Sequence, residues 1–165
     1  MKRFSIHLIS IGICLFVLTL SFGWLEQVSY RIAYAAESAS ATTTLDIPAI
    51  HLSTPIITST LQNHTPTVPS YIASAYSHYP SKTLLLGHSA TVFQDLPEVK
   101  LGDIIYYNNS TYFVSSKTIK PKSTISMAEL LAPAKTDTII IMTCSGMHLE
   151  DQDYADRLII TASKI

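Results

Sequence analysis

The run Thr138-Ile-Ile-Ile-Met-Thr-Cys144 constrains the fold more than any other stretch of the chain. An unbroken succession of β-branched and apolar residues predicts a buried strand. Alternation along it puts Ile140, Met142 and Cys144 on one face and Ile139, Ile141 and Thr143 on the other. The polar, glycine-containing Ser145-Gly146-Met147 predicts a turn that ends the strand and leaves Cys144 at its tip. A lone cysteine after a strand is most often a small buried hydrophobe. A chemical role for this thiol therefore needs partners from elsewhere in the chain.

The 165 residues have room for one domain and an appendage. Hydrophobic residues make up 47% and charged residues 14%, an apolar tilt that predicts a part of the chain outside water. A formal net charge of -1 lacks the basic excess that a nucleic-acid binder carries. Phe4 to Leu25 is uncharged and rich in Leu, Ile, Val and Phe, long enough for a membrane-spanning helix of about 20 residues. Ala33-Tyr34-Ala35 resembles a signal-peptide cleavage site, but it lies beyond the apolar run, with Gln27 and Arg31 between, so an uncleaved anchor is the expectation. Lys2 and Arg3 would hold the N-terminus in the cytoplasm, giving a single-pass protein of the cell membrane with its domain outside. The expected organisation is a transmembrane segment over 1–25, a linker over 26–44 containing the small, polar Glu37 to Thr44, and a folded domain over 45–165. With Cys14 in the anchor, Cys144 has no disulfide partner.

Within the domain the signals are short strands and turns. Leu45 to Leu52 and Thr54 to Thr60 predict two strands or edge segments, Pro48 and Pro55 excluding a central place in a sheet. Gln62 to Ser81 predicts a loop with at most a short helix around Tyr71 to Tyr76, and Phe93 to Val99 one helical turn. Asn108-Asn109-Ser110 predicts a hairpin between Asp103 to Tyr107 and Thr111 to Ile119. Ser126 is placed to cap a short helix that Pro133 terminates, Ser145 to Asp156 reads as a loop, and Arg157 opens the last strand. The pattern is all-β, and closure into a barrel would remove exposed edges.

Three side chains near strand ends suit one chemistry. A thiol that attacks an amide needs a proton manager and a positive group for the oxyanion. Cys144, His88 and Arg157 are candidates for those parts, and arginine cannot be the base because it stays protonated. His148, four residues after Cys144, competes for the base role, and a zinc site of Cys144, His148 and His88 is a further alternative.

The ordered set of Leu45-Asp-Ile-Pro-Ala-Ile, Pro55-Ile56, Leu86-Gly87-His88, Phe93-Gln-Asp-Leu96, Leu101-Gly102-Asp103-Ile104, Tyr112-Phe-Val114, Thr143-Cys144 and Arg157-Leu158-Ile159, behind an N-terminal anchor, resembles the sortases, membrane-anchored cysteine transpeptidases. The resemblance implies an eight-stranded closed β-barrel with one or two short helices. It implies Cys144 as nucleophile, His88 as general acid/base, Arg157 as the oxyanion or substrate-positioning residue, and Thr143 as an aid to substrate or oxyanion binding. The family's usual Thr-Leu-x-Thr-Cys is altered, Ile140 and Ile141 taking the first two places. The implied substrates are sorting-signal peptides of secreted proteins and an amine acceptor, a peptidoglycan precursor or a pilin lysine. No metal or cofactor is expected: one class binds calcium through acidic residues before the cysteine strand, and between Pro121 and Thr136 this chain has only Glu129. The alternatives are another peptidoglycan-directed cysteine hydrolase or L,D-transpeptidase, and a non-catalytic membrane-anchored surface module.

Overall fold

The computed structural model describes residues 25–62, 65–148 and 153–165. All of the anchor expected over 1–25 except Leu25 lies outside these residues, as does Cys14. Among the described residues no helix is long and apolar enough to cross a membrane. The chain divides into two units, residues 1–36 and 37–165. In the first, residues 25–36 belong to a helix, α1, that runs to residue 38, with the rings of Tyr30 and Tyr34 stacked at 6.1 Å. The stretch expected to be linker is thus helical in its first part, as the good helix formers Glu26, Gln27, Ala33, Ala35 and Ala36 favour.

The second unit is built of strands. In chain order they are β1 (Thr43–Ile47), β2 (Leu52–Thr58), β3 (Leu61–Gln62), β4 (Thr65–Pro66), β5 (Ala73–Tyr79), β6 (Lys82–Leu86), β7 (Ile104–Tyr107), β8 (Ser110–Pro121), β9 (Thr138–His148) and β10 (Tyr154–Lys164). Eight of them close a barrel in the order β1-β2-β5-β6-β9-β10-β8-β7, and β3 and β4 form a separate two-stranded ladder. The neighbours β2 and β5, and β6 and β9, are parallel, whereas the other barrel pairs are antiparallel. A short α-helix, α2 (Met127–Leu130), starts where Ser126 Oγ accepts the Glu129 N–H at 3.3 Å. Asn108 and Asn109 take φ of 47° and 58°, the doubly left-handed hairpin turn that asparagine tolerates.

Alternation on β6, β9 and β10 sorts their side chains between two apolar clusters. Leu85, Ile139, Ile141, Leu158 and Ile160 join the larger cluster that fills the barrel. Leu84, Leu86, Ile140 and Ile159 point the other way and pack, with Met142, against Val68, Ile125, Leu130 and Leu131. The sheet is therefore covered on its outer face here by α2 and by the segment around Val68.

Four expectations are corrected. Ala73–Tyr79 is a barrel strand, not a loop or helix: its Ala-Ser-Ala-Tyr-Ser-His-Tyr sequence has no apolar stripe, and pairing with β2 and β6 imposes the extended backbone. Pro55 lies in a strand with neighbours on both sides, tolerated because pairing with β5 begins only at Ile56. Cys144 does not end its strand, and Arg157 does not open the last one. β9 continues to His148, with Gly146 at φ 81°, and β10 starts at Tyr154 and meets β9 through a register shift between Tyr154 and Asp156. The glycine that reads as a terminator sits where the ladder is irregular.

Candidate active site

The register of three adjacent strands assembles the site. β6 and β9 run parallel, and their last paired residues are Leu86 and Met142. Two residues further, on the same outer face, are His88 and Cys144. On the other side of β9, Arg157 of β10 is paired directly with Cys144. Thiol and guanidinium are thus set on neighbouring strands with the imidazole just past the end of a third, and all three residues line one groove of about 520 Å³. Much of the remaining wall is apolar: Val68, Leu86, Ile125, Met127, Leu131 and Met142.

Beyond the last ladder pair the two segments are held together by a side chain. Thr143, buried on the inner face, donates from Oγ1 to the Gly87 carbonyl at 2.8 Å. Gly87 itself is buried, and an added Cβ would lie 2.6 Å from Val92 Cγ1 and 2.7 Å from the Phe93 ring. Past it, the His88 carbonyl accepts the Thr91 and Phe93 N–H groups at 3.3 and 3.0 Å. Phe93, Leu96 and Val99 then drop into the barrel core, anchoring the turn that begins at His88. Thr143→Val keeps the shape but leaves the Gly87 carbonyl without this donor. We expect it to cost about 1–3 kcal/mol, read from denaturant midpoints, with a fall in turnover because the same bond joins the strands of His88 and Cys144.

Cys144 is half-buried and not in a disulfide, and His88 is exposed. Arg157 is only 13% exposed, and its guanidinium is heavily engaged. Nη1 donates to the carbonyls of Tyr154 and Asp156, both at 2.9 Å, and Nη2 to Asp153 Oδ1 at 2.8 Å. Asp153 also accepts from Lys122 Nζ through Oδ2 and from the Tyr154 N–H through Oδ1 at 2.7 Å. The Lys122 hydrogen bond first, then the Tyr154 N–H and the Arg157 guanidinium, hold its carboxyl far below the usual carboxylate range, against the opposing effect of burial. It stays ionised at any ordinary working pH.

Of the residues singled out in sequence, the structure brings His88, Cys144, Thr143 and Arg157 to one groove. The backbone of His148 ends β9, but its side chain lies outside the described residues. Sequence reasoning missed Asp153 and Lys122. The one available signal was an acid four residues before Arg157.

The family model described as "Sortase domain" matches residues 45–165. A search of curated protein sequences finds no significant match. Among solved structures, sortase A from Corynebacterium diphtheriae, in a lid mutant, aligns with a TM-score of 0.60 and 25% identity over 76% of this chain and 70% of that one. Sortase C-1 from Actinomyces oris aligns with a TM-score of 0.59 and 22% identity, over 76% of this chain and 72% of its own. Sortase A of Listeria monocytogenes gives a TM-score of 0.59 at 15% identity, over 76% and 88%. At such identities the last two speak for the fold alone.

Proposed function

Because this chain belongs to the sortase family of cysteine transpeptidases, we propose that it cuts a C-terminal sorting motif of secreted proteins and joins the new carboxyl end to an amine. The observation that carries the reading is the convergence of Cys144, His88 and Arg157 on one largely apolar groove. With its proton passed to His88, the Cys144 sulfur attacks the scissile carbonyl, forming the S–C bond and sending the C=O π pair onto the oxygen, which the guanidinium of Arg157 faces. The C–N bond then breaks, His88 delivers a proton to the departing amine, and a thioester remains. An incoming amine gives its proton to His88 as it attacks the thioester, and Cys144 leaves. The apolar walls formed by Val68, Ile125, Met127 and Leu131 suit a peptide with apolar side chains and limit the access of water to the acyl-enzyme.

The acceptor we propose is a peptidoglycan precursor or a pilin lysine. The apolar Phe4 to Leu25 run, behind Lys2 and Arg3, would hold the domain on the outer side of the membrane where exported substrates emerge. The test incubates the purified protein with labelled sorting-signal peptides and hydroxylamine as amine. Mass spectrometry is expected to find the peptide acyl group on Cys144 and, with hydroxylamine, a released hydroxamate. No adduct on Cys144, or turnover of muropeptides but not of sorting peptides, would overturn the proposal.

A further inference from the structure

Arg157 is held in an unusual charge setting. On the β8 side it is paired directly with Lys120, so two cations face each other across the ladder, an arrangement that costs stability unless it is compensated. Lys122, two residues further along the chain, lines the same groove. Left to these neighbours, the guanidinium would be pushed toward solvent. Instead it is nearly buried, and among the described residues the acid paired with it is Asp153. That carboxylate uses both oxygens: Oδ2 accepts from Lys122, and Oδ1 from Arg157 and the Tyr154 N–H.

The donor count bears on function. A guanidinium has five N–H donors. Three of those of Arg157 go to Tyr154, Asp156 and Asp153, which leaves Nε–H and one Nη2 hydrogen without an acceptor among the described residues. The two carbonyls grip Nη1 alone, so the group could still swing about that end. The Asp153 contact on Nη2 supplies the second point that fixes the plane.

We infer that Asp153 is a positioning residue for the transfer reaction: it pairs with Lys122 and Arg157, offsetting part of the positive charge gathered there, and fixes the guanidinium so that its two remaining donors face the groove beside Cys144. The inference rests on the role proposed for Arg157. Lys122 comes from the short turn Lys122–Thr124, between β8 and α2, so Asp153 also ties that wall of the groove to the start of β10. In this arrangement the lysine bridge is secondary, because Lys122 is 56% exposed and Arg157 13%.

The experiment is a double-mutant cycle on hydroxylamine-dependent turnover of a fluorogenic sorting-signal peptide by the full chain. Asp153→Ala is expected to lower kcat about 10- to 100-fold with KM little changed, as a misplaced catalytic group does. Asp153→Asn, which keeps an oxygen acceptor without the charge, should recover part of the loss. It also serves as the test variant if Asp153→Ala does not fold. In an Arg157→Ala background the Asp153 substitution should cost nothing further, and Lys122→Ala alone should cost less than threefold. Three outcomes overturn the inference: Asp153 variants within twofold of wild type, full additivity with Arg157→Ala, or a Lys122→Ala loss equal to that of Asp153→Ala. An Arg157→Ala protein of normal activity would sink the role proposed for Arg157 itself, which distinguishes the two failures.

Discussion

Cys144→Ala is expected to lower transpeptidation by at least about 10⁴-fold while the melting temperature stays within a degree or two of wild type. The thiol is half-buried and outside any disulfide, so removing one sulfur leaves no large cavity and no stranded polar partner. The stability change should be under about 1 kcal/mol. Chemistry is another matter. No other cysteine is among the described residues, and the hydroxyl of Thr143, which also borders the groove, is committed to the Gly87 carbonyl. Cys144→Ser should be almost as inactive, since a hydroxyl is far harder to ionise than a thiol and the proposed reaction calls for the stronger nucleophile. Peptide turnover and intact-protein mass spectrometry, read beside thermal melts, check both variants. Retained acylation in Cys144→Ala would place the nucleophile elsewhere.

Gly87→Ala should do the reverse, damaging activity through the fold. Its methyl group would lie 2.6–2.7 Å from Val92 and Phe93, and Phe93 is fully buried and has no free space to enter. Overpacking of this kind costs about 1–3 kcal/mol. Relief must come from moving either the Phe93 ring or the backbone at Gly87. The second stretches the bond from Thr143 and shifts His88 relative to Cys144, so kcat should fall by about 10-fold or more. A lowered denaturant midpoint together with a lowered kcat is the expected signature. Phe93→Leu in the same background should recover part of both by making room. An alanine variant as stable and active as wild type would mean that the close packing behind His88 is not what places it.

The parts of this protein legible in sequence are those whose cause is local. Asn108-Asn109 specifies its own left-handed turn, Ser126 caps the helix it precedes, and the isoleucines of β9 sort themselves between two faces. The grouping of His88, Cys144 and Arg157 in one groove was expected from the order of motifs, although nothing local in the chain states the pairing of β6 with β9. Ala73–Tyr79 was illegible because its alternation is of small and polar residues, and only its neighbours make it a strand. Ser145 to His148 was misread because glycine marks both a turn and an irregular strand, and the backbone at Gly146 is the second. Asp153 was missed because an acid near a strand start has no meaning until the register of β8 and β10 sets Lys120 against Arg157.

The barrel is not stitched evenly. β10 makes nine residue pairs with β9 and nine with β8, whereas β1 meets β7 through only Leu45↔Tyr107 and Asp46↔Tyr106. Amide exchange is therefore expected to be faster at the β1–β7 seam than in the strands carrying sulfur and guanidinium. Two of the three groups, the thiol of Cys144 and the guanidinium of Arg157, are thus mounted on the most extensively paired strands of the wall.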